Sequence, residues 1–229
     1  MGAIDASTLL RTGLLEDRSV LLAGRAQDAA DDASVLGSVR AAFVGLGARA
    51  WPCELIAGGA PTGEVDIDNV VASVLERDGP LGMLVVDGGG VFAGAGAGRD
   101  ALRACVEAAW SVTRAVVTAA YMPRGEGGRV MYIAPAPGAG AHAGAACAGL
   151  ENLARTLSIE WARHGVTTVA IGPGDDTAAC ELAALTAYLA SDAGAYFSGC
   201  LLDLRGEPHA SASGASAGPR HPDAGPSER

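Results

Sequence analysis

The chain has 229 residues, a formal net charge of −10 and a hydrophobic fraction of 49%, of which little is aromatic. All 16 of its basic residues are arginine, which excludes lysine-dependent chemistry such as a Schiff base or a Walker-type phosphate lysine from this chain alone. The negative charge disfavours binding to nucleic acid or to an anionic membrane.

The length and the terminal composition predict one domain over residues 1–206, followed by a disordered tail over 207–229 that is rich in Pro, Gly, Ser and Ala. We expect removal of residues 210–229 to leave the stability nearly unchanged. The sequence has no long apolar segment and no leader pattern, so we expect a soluble cytoplasmic protein. The five cysteines are scattered without a C-x-x-C pair, so no metal site is expected.

Strands and helices alternate along the chain, which predicts a single α/β domain with a doubly wound parallel sheet. The predicted strands cover residues 19–24, 47–55, 81–86, 129–134, 166–171 and 196–206, and the predicted helices cover 36–46, 66–77, 100–121, 142–164 and 181–192.

The first strand ends in Gly24, where a doubly wound fold places its phosphate-binding turn. The segment that follows carries Asp28, Asp31 and Asp32, which we expect to cap the next helix and to supply acids to its first turn. Residues 56–63 are predicted to form a loop where a second crossover helix would be expected, and residues 87–90 (Asp-Gly-Gly-Gly) are predicted to form a turn before a flexible glycine-rich loop.

The helix predicted over residues 142–164 is the most informative element. Its segment 145–157 reads Ala-Ala-Cys-Ala-Gly-Leu-Glu-Asn-Leu-Ala-Arg-Thr-Leu, and the following strand ends in Ile171-Gly-Pro-Gly174. Together with Trp110-Ser-Val-Thr-Arg-Ala115, these segments resemble the short-chain dehydrogenase/reductase family. The resemblance runs from about residue 19 to 206, and it implies a shortened Rossmann-like domain of that family.

The resemblance also places the catalytic Asn, Ser, Tyr and Lys of the family on positions of this chain, which are Cys105, Pro135, Ala143 and Cys147. Hydride transfer to a carbonyl requires a proton donor, which in the family is the Tyr with its pKa lowered by the Lys, and neither residue is present here. The sequence therefore predicts a degenerate family member with no catalytic residue of its own. A rearranged site of His142, Cys147 and either Asp175 or Asp176 is the alternative for a non-redox nucleophile.

The nucleotide-binding positions are altered as well. Gly24, Asp87 and Gly88 are vestiges of the family's pattern, while Asp28 and Ala30 stand where two further glycines are expected. Carboxylates near a pyrophosphate are repulsive. We therefore expect that NAD(P) is the ancestral cofactor of this fold, that its binding has been lost, and that no other cofactor is used.

The two long helices of the second half carry apolar residues on more than one face, and in the family these helices form an oligomer contact. We expect assembly with an intact family member, of the hydroxyacyl-CoA or ketoacyl type by analogy, or with a second copy of the chain. The alternative is a remodelled enzyme, either non-redox or an NAD(P)-dependent oxidoreductase that uses groups from a partner. The residues expected at the interface are Trp110, Val117, Tyr121, Leu150, Leu153, Leu157 and Trp161.

Overall fold

A computed structural model describes residues 6–206. The strands are β1 (Ser19–Arg25), β2 (Arg49–Ala57), β3 (Ala60–Pro61), β4 (Met83–Asp87), β5 (Gly128–Ile133), β6 (Val166–Gly172) and β7 (Cys200–Asp203). The helices are α1 (Ala6–Leu9), α2 (Ala26–Ala30), α3 (Val35–Gly45), α4 (Glu64–Asp78), α5 (Gly88–Gly94), α6 (Gly98–Val116), α7 (Met122–Arg124), α8 (Ala143–Glu160) and α9 (Ala179–Ala190).

The seven strands form one sheet in the order β3-β2-β1-β4-β5-β6-β7, parallel except for the antiparallel pair β2–β3. Strand β4 is buried along its whole length, as expected for a central parallel strand. Helices α4, α6 and α8 cover one face of the sheet, and α1, α3 and α9 cover the other. The predicted α/β doubly wound architecture is confirmed.

The first connection differs from the prediction. Asp28 lies inside the short helix α2, and the N-cap of α3 is Ser34, whose Oγ accepts a hydrogen bond from the Gly37 N–H at 2.9 Å. Asp31 instead accepts a hydrogen bond from the Ala33 N–H and closes a local turn. The expectation that Asp28, Asp31 and Asp32 cap α3 is therefore wrong, because a serine closer to the helix provides the capping oxygen.

The connection between β2 and β4 contains only β3 and α4, so the predicted loss of a crossover helix is confirmed. Residues 88–94, predicted as a turn and a flexible loop, form helix α5 instead. The Asp87 carboxylate accepts a hydrogen bond from the Gly90 N–H at 2.8 Å, and Val91 and Phe92 are buried. Capping and apolar burial together outweigh the low helix propensity of three consecutive glycines.

The long helix predicted over residues 100–121 ends at Val116 and continues as a π-helical turn over Val117–Tyr121 before α7. The closing strand shortens to β7, and the residues before it form a 3-10 helix, Asp192–Tyr196. Among residues 6–206, no helix is long and apolar enough to cross a membrane. The predicted tail over 207–229 lies outside the described residues.

Candidate functional site

Charged side chains meet where β1 and β4 end, at the carboxyl edge of the sheet. Arg25 ends β1, and its Nε lies 3.7 Å from the Asp28 carboxylate. A Cβ atom placed on Gly90 would lie 2.5 Å from Asp87 Oδ2 and 2.9 Å from Asp28 Oδ2, so both carboxylates converge on the first turn of α5. One guanidinium and two carboxylates thus occupy the edge at which parallel sheets bind ligands.

The Asp87 carboxyl group is fully buried among these groups. The pKa of Asp87 is raised to about 6, mainly by burial and also by the nearby Asp28 charge, while the Gly90 N–H and the Arg25 guanidinium act in the opposite direction. Folding therefore favours the protonated form of this carboxyl group.

The pH dependence of stability should report this group. The contribution of protonated Asp87 is complete below the ordinary pKa of 3.8 and is lost as the pH rises through about 6. We expect Asp87→Asn, which keeps an oxygen for the Gly90 N–H, to gain on the order of 2–3 kcal/mol relative to wild type between about pH 4 and pH 7. Urea unfolding of both proteins across this range measures the difference. Parallel stability curves would contradict the assignment.

Two glycines at this edge are needed for packing. A Cβ on Gly24 would lie 3.0 Å from Leu36 Cδ2, and one on Gly88 would lie 2.7 Å from Leu150 Cδ1 and 2.9 Å from the Ile133 carbonyl oxygen. Both glycines are buried. Their presence in the sequence is thus explained by the fold itself, whether or not a ligand binds beside them.

The four positions matched to the catalytic residues of the family lie in closely packed surroundings. Pro135 directly follows Ala134, and Ala143 begins α8; both are buried. The Cys105 thiol donates a hydrogen bond to the Gly88 carbonyl oxygen at 3.3 Å. Burial, followed by the Asp87 charge, raises the pKa of Cys105 to about 12. The Cys105 thiol is therefore neutral at physiological pH and is not an activated nucleophile.

The predicted Cys-His-acid arrangement has the wrong environment for a nucleophile. Burial is the main cause that raises the pKa of Cys147, although Arg205 opposes it. His142 is exposed at the start of α8, with a left-handed backbone (φ 72°), and the Asp175 carboxylate accepts a hydrogen bond from the Gly138 N–H at 2.6 Å. A catalytic cysteine needs a lowered pKa, which this arrangement does not provide. Within residues 6–206, no cluster of three or more potential ligands could hold a metal ion.

Helices α6 and α8 lie side by side and expose an aromatic pair. The rings of Trp110 and Trp161 stack with their centroids 6.2 Å apart and an interplanar angle of 15°, and 39% of Trp110 remains exposed. Leu153 is partly buried on the same helix pair, as are Leu102 and Val106 of α6. We call these five residues the tryptophan patch.

The other four residues expected at an interface lie inside the domain. Val117, Tyr121, Leu150 and Leu157 are each at most 2% exposed. Their helical spacing was read as a second apolar face, but the wide contact of α6 and α8 with the sheet and with each other buries them. The interface prediction is therefore wrong for these four residues, and Trp110, Leu153 and Trp161 are the ones that reach the surface.

Solved structures with the same architecture cover most of the chain, although no family model matches it. A short chain dehydrogenase from Mycobacterium smegmatis is 20% identical with a TM-score of 0.70, covering 90% of this chain and 97% of that one. A hydroxysteroid dehydrogenase from Escherichia coli is 15% identical with a TM-score of 0.67, covering 85% and 98%. The chain has the short-chain dehydrogenase fold. The family resemblance found in the sequence is therefore confirmed at the level of the fold.

The comparisons also correct the cofactor prediction. Another structure with this fold is an enoyl-[acyl-carrier-protein] reductase (NADH) from Aquifex aeolicus VF5, 18% identical with a TM-score of 0.66, covering 84% of this chain and 96% of that one. The matched structures are dehydrogenases and reductases, and one of them is an NADH enzyme by its description, so the prediction that NAD(P) binding has been lost is wrong.

Proposed function

We propose that this chain is a subunit of the short-chain dehydrogenase fold that acts by assembling with a second chain of the same fold through the α6/α8 surface. The observation that carries the proposal is the partly exposed, stacked pair of Trp110 and Trp161. Tryptophan is enriched among the residues that dominate binding at protein interfaces.

The composition of the tryptophan patch supports this role. Its members lie on α6, on α8 and at the residue that directly follows α8, and the two helices pack together, so the surface is already ordered before binding and little conformational entropy is lost on association. Burying a large apolar side chain contributes about 1.5–3 kcal/mol. The Arg103–Glu107 ion pair of α6 and the Glu151–Arg155 pair of α8 add charges of both signs to these helices. A partner with the same two helices can match both the apolar and the charged parts.

The residues at the family's catalytic positions support a role that does not include hydride transfer by this chain alone. Ala143 and Cys147 are buried on α8, and neither can replace a tyrosine hydroxyl activated by a lysine. The chain contains no lysine at any position. In the proposed assembly, the second chain supplies the proton-donating group and this chain contributes the structural contact.

A second candidate is an enzyme whose missing groups come from a partner. It is favoured by a cavity of about 500 Å³ at the carboxyl ends of β6 and β7, where Asp175, Asp176 and Arg205 converge. In an assembly of this kind the cavity would hold the substrate of this chain, and the partner would complete the catalytic set.

Co-expression with an intact reductase of the same source, one that contains Tyr-x-x-x-Lys, tests the proposal. We expect the two chains to purify together in a fixed ratio, and carbonyl reduction by the complex to be abolished when the tyrosine of the intact chain is changed to phenylalanine. Carbonyl reduction by this chain alone would contradict the non-catalytic role. Activity that survives the tyrosine change, but only in the complex, would favour the second candidate.

A further inference from the structure

A cationic pocket lies at the amino edge of the sheet, opposite the edge that carries Asp87. It encloses about 270 Å³ beneath the starts of the central strands, and its walls include the side chains of Arg18, Arg124 and Arg129. Glu126 is the acidic residue of the described lining, and glycine backbone forms much of the remainder. Three guanidinium groups around one small pocket stand out in a chain whose net charge is −10.

The arginines exceed the carboxylates that face them. Arg18 Nη2 lies 3.1 Å and Arg129 Nη2 lies 3.7 Å from the same oxygen of Asp192. Arg124 pairs with Glu126. Three cations therefore share two carboxylates. Both carboxylates are largely exposed to solvent, which weakens their electrostatic attraction to the guanidinium groups. The pocket retains an excess of one positive charge.

Helix capping explains only part of this cluster. Arg129 Nη1 donates hydrogen bonds to the carbonyl oxygens of Leu189 and Ser191 at the end of α9, where a cation is favourable. Burial is the main cause that lowers the pKa of Arg129; the Asp192 carboxylate opposes this, and the charge of Arg18 lowers the pKa further. Among the described hydrogen bonds, Arg18 and Arg124 donate to carboxylates and to no helix carbonyl. The position of Arg18 beside Arg129 thus has an electrostatic cost that capping does not explain.

We propose that this pocket binds a small tetrahedral oxyanion, either inorganic phosphate or the terminal phosphate of a small phosphomonoester. Guanidinium groups match the oxygens of phosphate in geometry and donate charge-assisted hydrogen bonds to them. The ligand relieves the repulsion between Arg18 and Arg129 and replaces water in the pocket. This site is separate from the tryptophan patch and does not depend on the proposed assembly.

Thermal unfolding of the full chain in inorganic phosphate, compared with sodium chloride of equal ionic strength, tests the proposal. We expect phosphate to raise the unfolding temperature in a saturable manner, since a ligand that binds only the native state stabilises it. Arg18→Gln and Arg124→Gln should each raise the dissociation constant for phosphate about tenfold, because each variant loses one charge-assisted hydrogen bond to the anion. A parallel titration with glycerol 3-phosphate distinguishes the two sources: tighter binding than phosphate identifies a phosphomonoester, and weaker binding identifies the free anion.

Arg40→Gln is the matched control, because Arg40 is exposed on α3 and does not line the pocket, and the same charge is removed. We expect this variant to respond to phosphate as the wild type does. Equal responses to phosphate and chloride in the wild type would overturn the proposal and leave the arginines with structural roles alone. An equal loss of response in Arg40→Gln would also overturn it, since the effect would then follow net charge.

Discussion

Replacing Gly37 by alanine is expected to lower the free energy of unfolding by about 2–4 kcal/mol. The added Cβ would lie 2.0 Å from the Asp31 carbonyl oxygen and 3.1 Å from the Asp28 carbonyl oxygen. Both contacts are with backbone, which cannot move aside as a flexible side chain would. The segment that contains α2 can therefore pack closely against α3 only because residue 37 has no side chain.

Gly45→Ala provides a control on the same helix. A Cβ at Gly45 would meet no atom within 4 Å, and alanine has the higher helix propensity, so we expect unchanged or slightly increased stability, by up to about 1 kcal/mol. Urea unfolding of the two variants and the wild type measures the contrast. Similar stabilities for both variants would show that α2 does not pack on α3 in this way.

Replacing Trp110 by aspartate is expected to abolish assembly while the domain stays folded. The side chain is 39% exposed, so the charged group can remain in water in the separate chain, whereas an assembled interface would bury it without a partner. Truncation of a central interface tryptophan commonly costs at least about 2 kcal/mol, which corresponds to a dissociation constant about 30-fold weaker, and a buried charge should exceed that value.

Val44→Asp is the matched control for this substitution. Val44 is 52% exposed on α3, which covers the opposite face of the sheet, so the same charge is introduced outside the tryptophan patch. We expect this variant to assemble as the wild type does. Circular dichroism and urea unfolding test whether both variants are folded, as we expect. Loss of the fold in Trp110→Asp, or equal loss of assembly in both variants, would contradict the assignment.

The fold could be predicted from the sequence to the extent that apolar periodicity decides it. Strands such as β1 and β4 contain continuous apolar runs, and the helix pair α6/α8 carries segments similar to those of the family. The helix α5 could not be predicted, because three glycines argue against a helix. Its formation depends on a cap from Asp87 and on the burial of Val91 and Phe92, and these interactions exist only in the folded chain.

The site was only partly predictable for a related reason. The sequence identified Asp28 and Asp87 as departures from the family. The two residues lie on different elements, however, so their residue spacing does not reveal that their carboxylates meet at the first turn of α5. Arg25 was missed, although a charged residue at the end of an apolar strand is a usable signal. For the interface, helical periodicity identified apolar faces but could not separate Leu150, which packs in the core, from Trp110, which reaches the surface.

Sedimentation equilibrium of the full chain over a series of micromolar concentrations, alone and mixed with an intact reductase of the same source, tests the central claim most directly. We predict a mass above the 22.7 kDa of one chain, either as a mixed complex with the reductase or as a self-assembly, and the single-chain mass for Trp110→Asp under the same conditions. A wild-type mass of one chain at every concentration, unchanged by the reductase, would contradict it.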